Sequence, residues 1–396
     1  MNTASVSPSI SVPPNLRDSP LRPDCAARDR LFRWRGVNTP RRSTLDVLWL
    51  RALDATVLQA SISDAAGYGS GIKKFHTFCD VFSVPEEDRL PASFDVLYSF
   101  VLWASADAST SISPSTDSPP TSPVSESTIR HYLAAVRAWH LAQGWDPPLS
   151  DGERDRINFA LRGVAKLQAE RHTKPIRPPV TITMLRLVKR SLDLNTPFDA
   201  CVWAIITCAF WGMMRLGEVT VKCRDDFKPS KSLTRRDAIT GSDQDGRLFM
   251  RLDLPAAKTA RPGDKQSVWL VPQGDLCAVG AIQNLARVVP ARALDPLFSW
   301  RDIKMDIRPM AKPRLLERVN AILATSGIPR IYGHSFRIGG ASFYMANKVD
   351  PEIVRLAGRW RSLSYEAYLR SFEQVVSRHL ADLPDVRSVR GLGERR

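Results

Sequence analysis

The feature that most limits how this chain can fold is an apolar run near its middle. Residues 201–214 read CVWAIITCAFWGMM and contain no charged side chain. A helix that is apolar on every side has to be surrounded by other elements, and this run is too short to span a bilayer. It therefore predicts a buried core helix, which we place at 197–220, with a domain built around it.

One arginine follows this run directly. Arg215 lies in MMRLGE, and we expect the buried helix to end between Arg215 and Glu218. An arginine at the end of a buried helix needs a partner, because an unpaired buried charge is costly. Glu218 or an external anion can take that place. We expect both, with Glu218 orienting Arg215 and a phosphate binding its guanidinium.

A basic, proline-rich linker at 171–180 (RHTKPIRPPV) divides the chain into two domains. Before it, residues 44–170 have the apolar spacing of a helical bundle. A Ser/Pro/Thr-rich insertion at 106–126 interrupts this bundle and cannot form a core of its own. The second domain follows at 181–384.

Strand patterns occur in the second domain. The segments 232–239, 247–254 and 266–272 are predicted strands, and the last two flank a Gly/Pro-containing hairpin loop at 255–265 that carries Lys258. Helical patterns surround them. The sequence thus predicts a mainly α fold with a small antiparallel β-sheet, in which the second domain is α+β.

The chain is strongly basic. It has 56 Lys+Arg against 41 Asp+Glu, a net charge of +15. This excess indicates a polyanion as partner, nucleic acid first. The two ends, 1–43 and 385–396, are basic and lack apolar periodicity, so we expect disordered tails. Cations of the first domain and the linker that are candidates for phosphate contact are Arg130, Arg137, Arg162, Lys166, Arg171 and Lys174.

Cysteine and histidine spacing gives no sign of a metal site. The six cysteines form no CxxC pair, and the six histidines form no HExxH motif. We expect buried, reduced cysteines and no structural metal. No secretory signal pattern opens the sequence, and no run is long enough for a membrane span. We therefore expect a soluble, intracellular protein.

The stretch 331–370 contains most of the remaining chemically active residues. They are the His-x-x-Arg pair His334 and Arg337, the turn Gly358, Arg359 and Trp360, and the tyrosines Tyr365 and Tyr368.

With Arg215 and Lys258, these are the side chains that cleavage of a phosphodiester needs without a metal. Arginine binds phosphate oxygens through a planar fork and stays protonated. A phenol, with an ordinary pKa of about 10, needs nearby cations to ionise before it attacks. A flexible lysine can protonate the leaving oxygen. We therefore interpret Tyr368 as a nucleophile for DNA strand cleavage.

The motifs MMRLGE, LPAAKT, HSFRIGGAS and LAGRW followed by YEAYLR resemble, in order and setting, the tyrosine recombinase (phage integrase) family. The resemblance covers roughly residues 175–383 through specific motifs. It extends to 44–170 only through pattern and position. The LAGRW–Tyr variant is similar to recombinases of eukaryotic mobile elements of the fungal Crypton type. The resemblance implies a C-shaped clamp, with a SAM-like core-binding domain before the catalytic domain.

The resemblance implies a role for each matching residue. Arg215 is the first catalytic arginine, supported by Glu218, and Lys258 protonates the leaving oxygen. His334 accepts a proton or donates a hydrogen bond to the phosphate. Arg337 is the second phosphate clamp.

The C-terminal motif leaves two alternatives open. Trp360 is expected to donate its indole N–H to the phosphate, and Tyr368 is the expected nucleophile. The distance from Trp360 to Tyr368 is one residue shorter than is common in the family, so Arg359 is the alternative at the His/Trp position. Tyr365, one helical turn before Tyr368, is the rival nucleophile.

The resemblance further implies site-specific DNA recombination or integration through a 3′-phosphotyrosyl link, with a free 5′-hydroxyl and no metal or cofactor. The partner is double-stranded DNA, bound by a homo-tetramer on paired sites. The expected location is the nucleus of a eukaryote, or otherwise the cytoplasm and nucleoid. Three alternatives stay open: a catalytically silent DNA-binding protein, a type IB topoisomerase, and a helix-turn-helix regulator.

Overall fold

A computed structural model describes residues 16–40, 47–62, 64–106, 123–171, 177–256 and 266–360. The chain divides into two compact units, Met1–Lys174 and Pro175–Arg396. Helices predominate, with two small antiparallel sheets in the second unit, so the predicted fold class is confirmed. None of the described helices is long and apolar enough to cross a membrane.

The first unit is helical throughout its described part. Its core is aromatic, with Phe75, Phe100 and Trp139 fully buried. Side-chain caps fix where two helices begin: Asp64 accepts from the main chain of Gly67, and Ser93 accepts from that of Val96. The helices are α1 (Arg30–Arg33), α2 (Leu48–Ser61), α3 (Ala65–Val81), α4 (Phe94–Ser105), α5 (Glu126–Gln143) and α6 (Asp151–Arg171).

The prediction of a disordered N-terminal tail is wrong for residues 16–40. Leu31 and Trp34, three residues apart on one face of a turn, are buried in the core of the bundle. Arg22 pairs with Glu86 at 2.7 Å while almost fully buried. A buried aromatic residue and a buried ion pair hold this segment, although its overall composition is typical of a tail.

Several predicted segments lie largely or wholly outside the described residues. These are the insertion at 106–126 beyond its ends, the middle of the linker, the hairpin loop around Lys258, the tyrosines Tyr365 and Tyr368, and the tail at 385–396.

The second unit surrounds its apolar helix as predicted. Every residue from Asp199 to Trp211 is buried, and Asp199 is paired with Arg318 at 2.8 Å. The helices of this unit are α7 (Ile182–Ser191), α8 (Pro197–Trp211), α9 (Leu216–Val219), α10 (Ala278–Val288), α11 (Lys312–Ala324), α12 (Ser335–Ala346) and α13 (Pro351–Ala357).

The three-stranded sheet has the order β1-β2-β3, with both pairs antiparallel. Its strands are β1 (Ala238–Ser242), β2 (Leu248–Leu254) and β3 (Gln266–Leu270). The alternating residues Met250, Leu252 and Leu254 point into the core, as the sequence predicts, whereas Leu248, predicted on the same side, is exposed. A second, two-stranded sheet pairs β4 (Ser299–Arg301) with β5 (Ile307–Pro309).

The strand predicted at 232–239 is wrong over most of its length. Residues Arg235–Asp237 form a 3₁₀ turn, and β1 begins only at Ala238. The Asp237 carboxylate accepts hydrogen bonds from the main-chain N–H (2.8 Å) and the hydroxyl (2.6 Å) of Thr234. This local side-chain cap competes with the extended conformation.

Helix α12 packs closely on α8 because its first turns contain two glycines. A Cβ on Gly340 would lie 2.0 Å from the carbonyl oxygen of Phe210, and one on Gly339 would lie 2.0 Å from that of Val180. Val180, at the end of the predicted linker, is buried and donates its N–H to the carbonyl of Ser335. These contacts bring the start of α12 next to the end of α8.

Candidate active site

Arg215 lies beyond the end of the apolar helix and not within it. Helix α8 ends at Trp211 rather than between Arg215 and Glu218, because the chain turns at Gly212 and Met213. Met213 is buried and has a φ of 43°, a left-handed conformation that a long side chain rarely adopts. Arg215 then precedes the short helix α9. Its side chain is 24% exposed, so solvent or a ligand reaches it.

Glu218 holds Arg215 in two ways. One carboxylate oxygen accepts from the main-chain N–H of Arg215 at 2.9 Å. The other accepts from its guanidinium Nη1 at 3.0 Å. Glu218 therefore contacts Arg215 in the way that the sequence-based expectation requires.

Glu218 also pairs with a second arginine. The Nη2 atom of Arg359 donates to the Glu218 carboxylate at 2.7 Å, and both side chains are almost fully buried. Arg359 has a φ of 61°, and its Nη1 contacts the carbonyl of Gly212 at 3.4 Å. Its Nε is buried, and no described residue forms a hydrogen bond with it. The Glu218 carboxylate thus binds two guanidinium groups, those of Arg215 and Arg359.

Among the predicted site residues that the structure describes, Arg337 is the most deeply buried, at 1% exposure. Its guanidinium donates to the carbonyls of Met213 and of Gly358 (2.6 Å for the latter). It also stacks on the ring of Trp360, 4.1 Å from the centroid. Arg337 therefore joins the turn before Arg215 to the turn at 358–360.

The structure contradicts the expectation that Trp360 faces a phosphate. Its side chain is 6% exposed, and its apolar neighbours are Met213, Ala341, Met345 and Val354. The neighbouring residue, Arg359, contacts the carboxylate that holds Arg215. The physical reason is the left-handed turn at Arg359, which sends the indole inward and the guanidinium toward Glu218. Of the two alternatives at this position, the geometry favours Arg359.

His334 lies at the start of α12 and is half-buried. Its Nδ1 atom is buried and has no hydrogen-bond partner among the residues that the structure describes. Burial lowers the pKa of the imidazole, and the positive charges of Arg177, Arg337, Lys312 and Arg215 lower it further. The ring is therefore neutral at neutral pH and is able to accept a proton.

Two cations near His334 were not predicted from the sequence. Arg177 lies in the predicted linker, where the described chain resumes after 172–176, and Lys312 is the first residue of α11. Neither forms an ion pair with a carboxylate in the described part of the chain. No local motif marks them, because only the tertiary fold brings them to His334.

No protein-family profile matches this sequence. No curated protein matches it either. Among solved structures, the chain is similar to XerH site-specific recombinase bound to palindromic difH substrate in a post-cleavage complex. The two are 12% identical with a TM-score of 0.51, and the alignment covers 90% of this chain and 95% of that one.

The chain has the fold of a tyrosine recombinase.

Two further matches have lower TM-scores. XerH in a pre-cleavage complex with difH is 14% identical with a TM-score of 0.39 and covers 83% of each chain. XerA recombinase is 11% identical with a TM-score of 0.35 and covers 85% of this chain and 98% of that chain.

Within this recombinase fold, the cations predicted on the first unit differ in their surroundings. Arg130 is exposed but is held by Glu126 and by Asn158 at 2.6 Å. Arg162 stacks on the exposed ring of Phe159, 5.4 Å from its centroid. Arg137 and Lys166 are exposed. The side chains of Arg171 and Lys174 lie outside the described residues.

Removing the shared carboxylate should destabilise the second unit. Glu218→Gln leaves two guanidinium groups, one of them almost fully buried, without their counter-charge. We expect the free energy of unfolding in urea to fall by about 3 kcal/mol. Glu317→Gln, whose pair with Arg314 is well exposed, should cost less than about 1 kcal/mol. Equal, small losses in both variants would contradict the shared ion pair.

The pKa of His334 should make stability depend on pH. Because its folded-state pKa is below the ordinary 6.5, the unfolded chain binds a proton first as the pH falls. Below about pH 6.5, wild type should therefore lose stability relative to His334→Gln, whereas above about pH 7.5 the difference between them should be constant. Urea unfolding of both proteins across this range measures the effect. A relative gain of wild type at low pH would show a raised pKa instead.

Proposed function

We propose that this protein is a DNA breaking–rejoining enzyme, a tyrosine site-specific recombinase that works through a 3′-phosphotyrosyl intermediate. The observation that supports it is the meeting of Arg215 and His334 at an electropositive site inside a recombinase fold. Tyr368 and Lys258, which complete the reaction, come from the sequence motifs.

The charge of the site suits a phosphodiester. Arg215 is partly exposed, and the carboxylate that holds it is shared with Arg359. Positive charges outnumber negative ones around His334, since Arg177 and Lys312 add two cations. A phosphodiester anion would neutralise this excess, and an arginine fork bound to its non-bridging oxygens would stabilise the charge that builds in the transition state.

The proposed chemical step conserves the energy of the phosphodiester. The phenol oxygen of Tyr368 attacks phosphorus and forms a P–O bond, while the bond to the 5′-oxygen breaks. The neutral imidazole of His334 accepts the phenolic proton. Lys258 gives a proton to the leaving 5′-oxygen. The reverse step, with a 5′-hydroxyl of a partner strand, rejoins the DNA and frees the tyrosine.

The two remaining arginines, Arg337 and Arg359, have supporting roles in this proposal. Arg337 holds the carbonyls of Met213 and Gly358, and so fixes the turns that carry Arg215 and Arg359. We assign Arg359 to the position that the family fills with histidine or tryptophan. There it supports Glu218 and adds positive charge next to Arg215. Trp360 is assigned the apolar stacking role below Arg337.

The proposed substrate is double-stranded DNA. The exposed cations Arg137, Arg162 and Lys166 of the first unit would contact backbone phosphates, which supply affinity without sequence information. Recombination exchanges strands between two sites, so the proposed active assembly is a tetramer on paired DNA. A mobile-element origin and a nuclear location in a eukaryotic host belong to the same proposal, as does catalysis without a metal or cofactor.

Covalent trapping tests the reaction and its nucleophile together. The substrate is duplex DNA from candidate element ends, nicked so that the short 5′-hydroxyl strand diffuses away after cleavage. In EDTA, wild type and Tyr365→Phe should form a covalent protein–DNA band, and Tyr368→Phe should form none, because phenylalanine lacks the attacking oxygen. Arg215→Lys should slow formation of the band about 100-fold to 1000-fold, because lysine cannot bind two oxygens at once.

Other outcomes favour the alternatives. A band lost only in Tyr365→Phe would move the nucleophile one turn earlier. Bound but uncleaved DNA at every candidate site would favour a catalytically silent DNA-binding protein. Relaxation of supercoiled DNA by a monomer, without preference for a site, would favour a type IB topoisomerase.

A further inference from the structure

Lys312 lies close to the proposed site, but the proposed reaction gives it no role in contacting the phosphate. A Cβ built on Gly333 would lie 3.0 Å from its Nζ and 2.9 Å from its Cε. The same Cβ would lie 3.7 Å from Cδ1 of Leu216. Gly333 precedes His334, and Leu216 follows Arg215. The ammonium of Lys312 therefore lies against the chain between the two residues that form the proposed phosphate site.

Main-chain hydrogen bonds fix where this lysine begins. The N–H of Lys312 donates to the carbonyl of Val221 at 2.9 Å, and the N–H of Val221 donates to the carbonyl of Met310 at 3.0 Å. This bridge ties the start of α11 to the chain just after α9. Pro313, in the first turn of α11, restricts the backbone further. The side chain of Lys312 contributes to none of these contacts and is exposed.

The charge of Lys312 is not balanced by a carboxylate among the described residues. No carboxylate in the described residues forms an ion pair with it, and its charge acts on the same imidazole as those of Arg177, Arg215 and Arg337. An exposed lysine is ordinarily only a solvated cation with a mobile stem. Here the stem lies along a glycine that leaves room for it, beside His334. The buried Nδ1 of His334 has no hydrogen-bond partner within the described part of the chain.

We propose that Lys312 is a further phosphate-binding residue of this site, whose ammonium contacts a non-bridging oxygen of the phosphodiester bound by Arg215 and His334. Gly333 is a glycine at this position because a side chain there would displace that ammonium. The inference rests on the proposed function and deepens it. The role of Lys312 differs from that of Lys258, because Lys312 neutralises charge on the phosphate and transfers no proton to the leaving oxygen.

A double-mutant cycle tests the contact with Gly333. In single-turnover cleavage of the nicked substrate, Lys312→Met should lower the rate about 100-fold, the usual effect of losing one donor to a transition-state oxygen. Gly333→Ala should also lower the rate in the presence of Lys312, because the new methyl group displaces the flexible end of the lysine. In the Lys312→Met background, Gly333→Ala should have no further effect.

Two results of this cycle would overturn the proposal. One is an equal effect of Gly333→Ala in both backgrounds, which would mean that the alanine acts on His334 and not through the lysine. The other is a rate for Lys312→Met equal to that of Lys304→Met. Lys304 is the matched control, because it is an exposed lysine of the same unit in the loop between β4 and β5.

A substrate with a different leaving group distinguishes the role of Lys258 from that of Lys312. A substrate with sulfur in place of the bridging 5′-oxygen releases a thiolate, which needs no proton. This substrate should restore cleavage by Lys258→Ala, whose defect is proton transfer, and should leave Lys312→Met slow. Recovery of Lys312→Met to the wild-type rate on the sulfur substrate would assign proton transfer to Lys312 and would overturn its role in binding.

The salt dependence of DNA binding gives a readout that does not need cleavage. For a duplex oligonucleotide, the slope of log K against log salt should fall by about 1 in Lys312→Met, since one phosphate contact is lost. Lys304→Met should keep the wild-type slope, and an unchanged slope in Lys312→Met would overturn the proposal. Wild type that binds DNA with the expected slope and never forms a covalent band would refute the proposed reaction alone.

Discussion

The rest of the site depends on the contacts that the buried guanidinium of Arg337 makes. It donates to the carbonyls of Met213 and Gly358 and stacks on Trp360, with only 1% of its surface exposed. A buried cation is tolerated when its donors are satisfied, and leaving one unpaired is costly. Arg337 therefore fixes the position of the turn before Arg215 relative to the turn at Arg359. The glycines at the start of α12 allow the close helix contact that brings Arg337 there.

The charge balance of the site follows from this arrangement. With both turns fixed, Arg215 and Arg359 share the carboxylate of Glu218. Lys312 and Arg177 add charge without a carboxylate partner among the described residues. Burial lowers the pKa of His334, and these cations lower it further. Like charges gathered around a half-buried imidazole are unfavourable in the absence of an anion. A bound phosphodiester would relieve this repulsion, and the same neutral imidazole would then be ready to accept a proton.

Much of the fold was predictable from local patterns, whereas the details of the site were not. The apolar run predicts the buried helix α8, and alternation predicts β2, because burial imposes those patterns directly. The end of α8 was missed because Met213 adopts a left-handed conformation that no local signal marks. The inward orientation of the Trp360 indole follows from a left-handed turn of the same kind at Arg359. Lys312 was missed because its neighbours come from segments far apart in the sequence.

The most direct test of the central claim is to find which atom of the protein becomes bonded to DNA. Wild type is trapped on the nicked substrate in EDTA and digested, and the peptide that retains nucleotides is sequenced by mass spectrometry. The account predicts one modified residue, Tyr368, joined to the 3′-phosphate of the cleaved strand, and a free hydroxyl on the 5′ side. A peptide linked through a 5′-phosphate, or a link to any residue other than Tyr368, would contradict it.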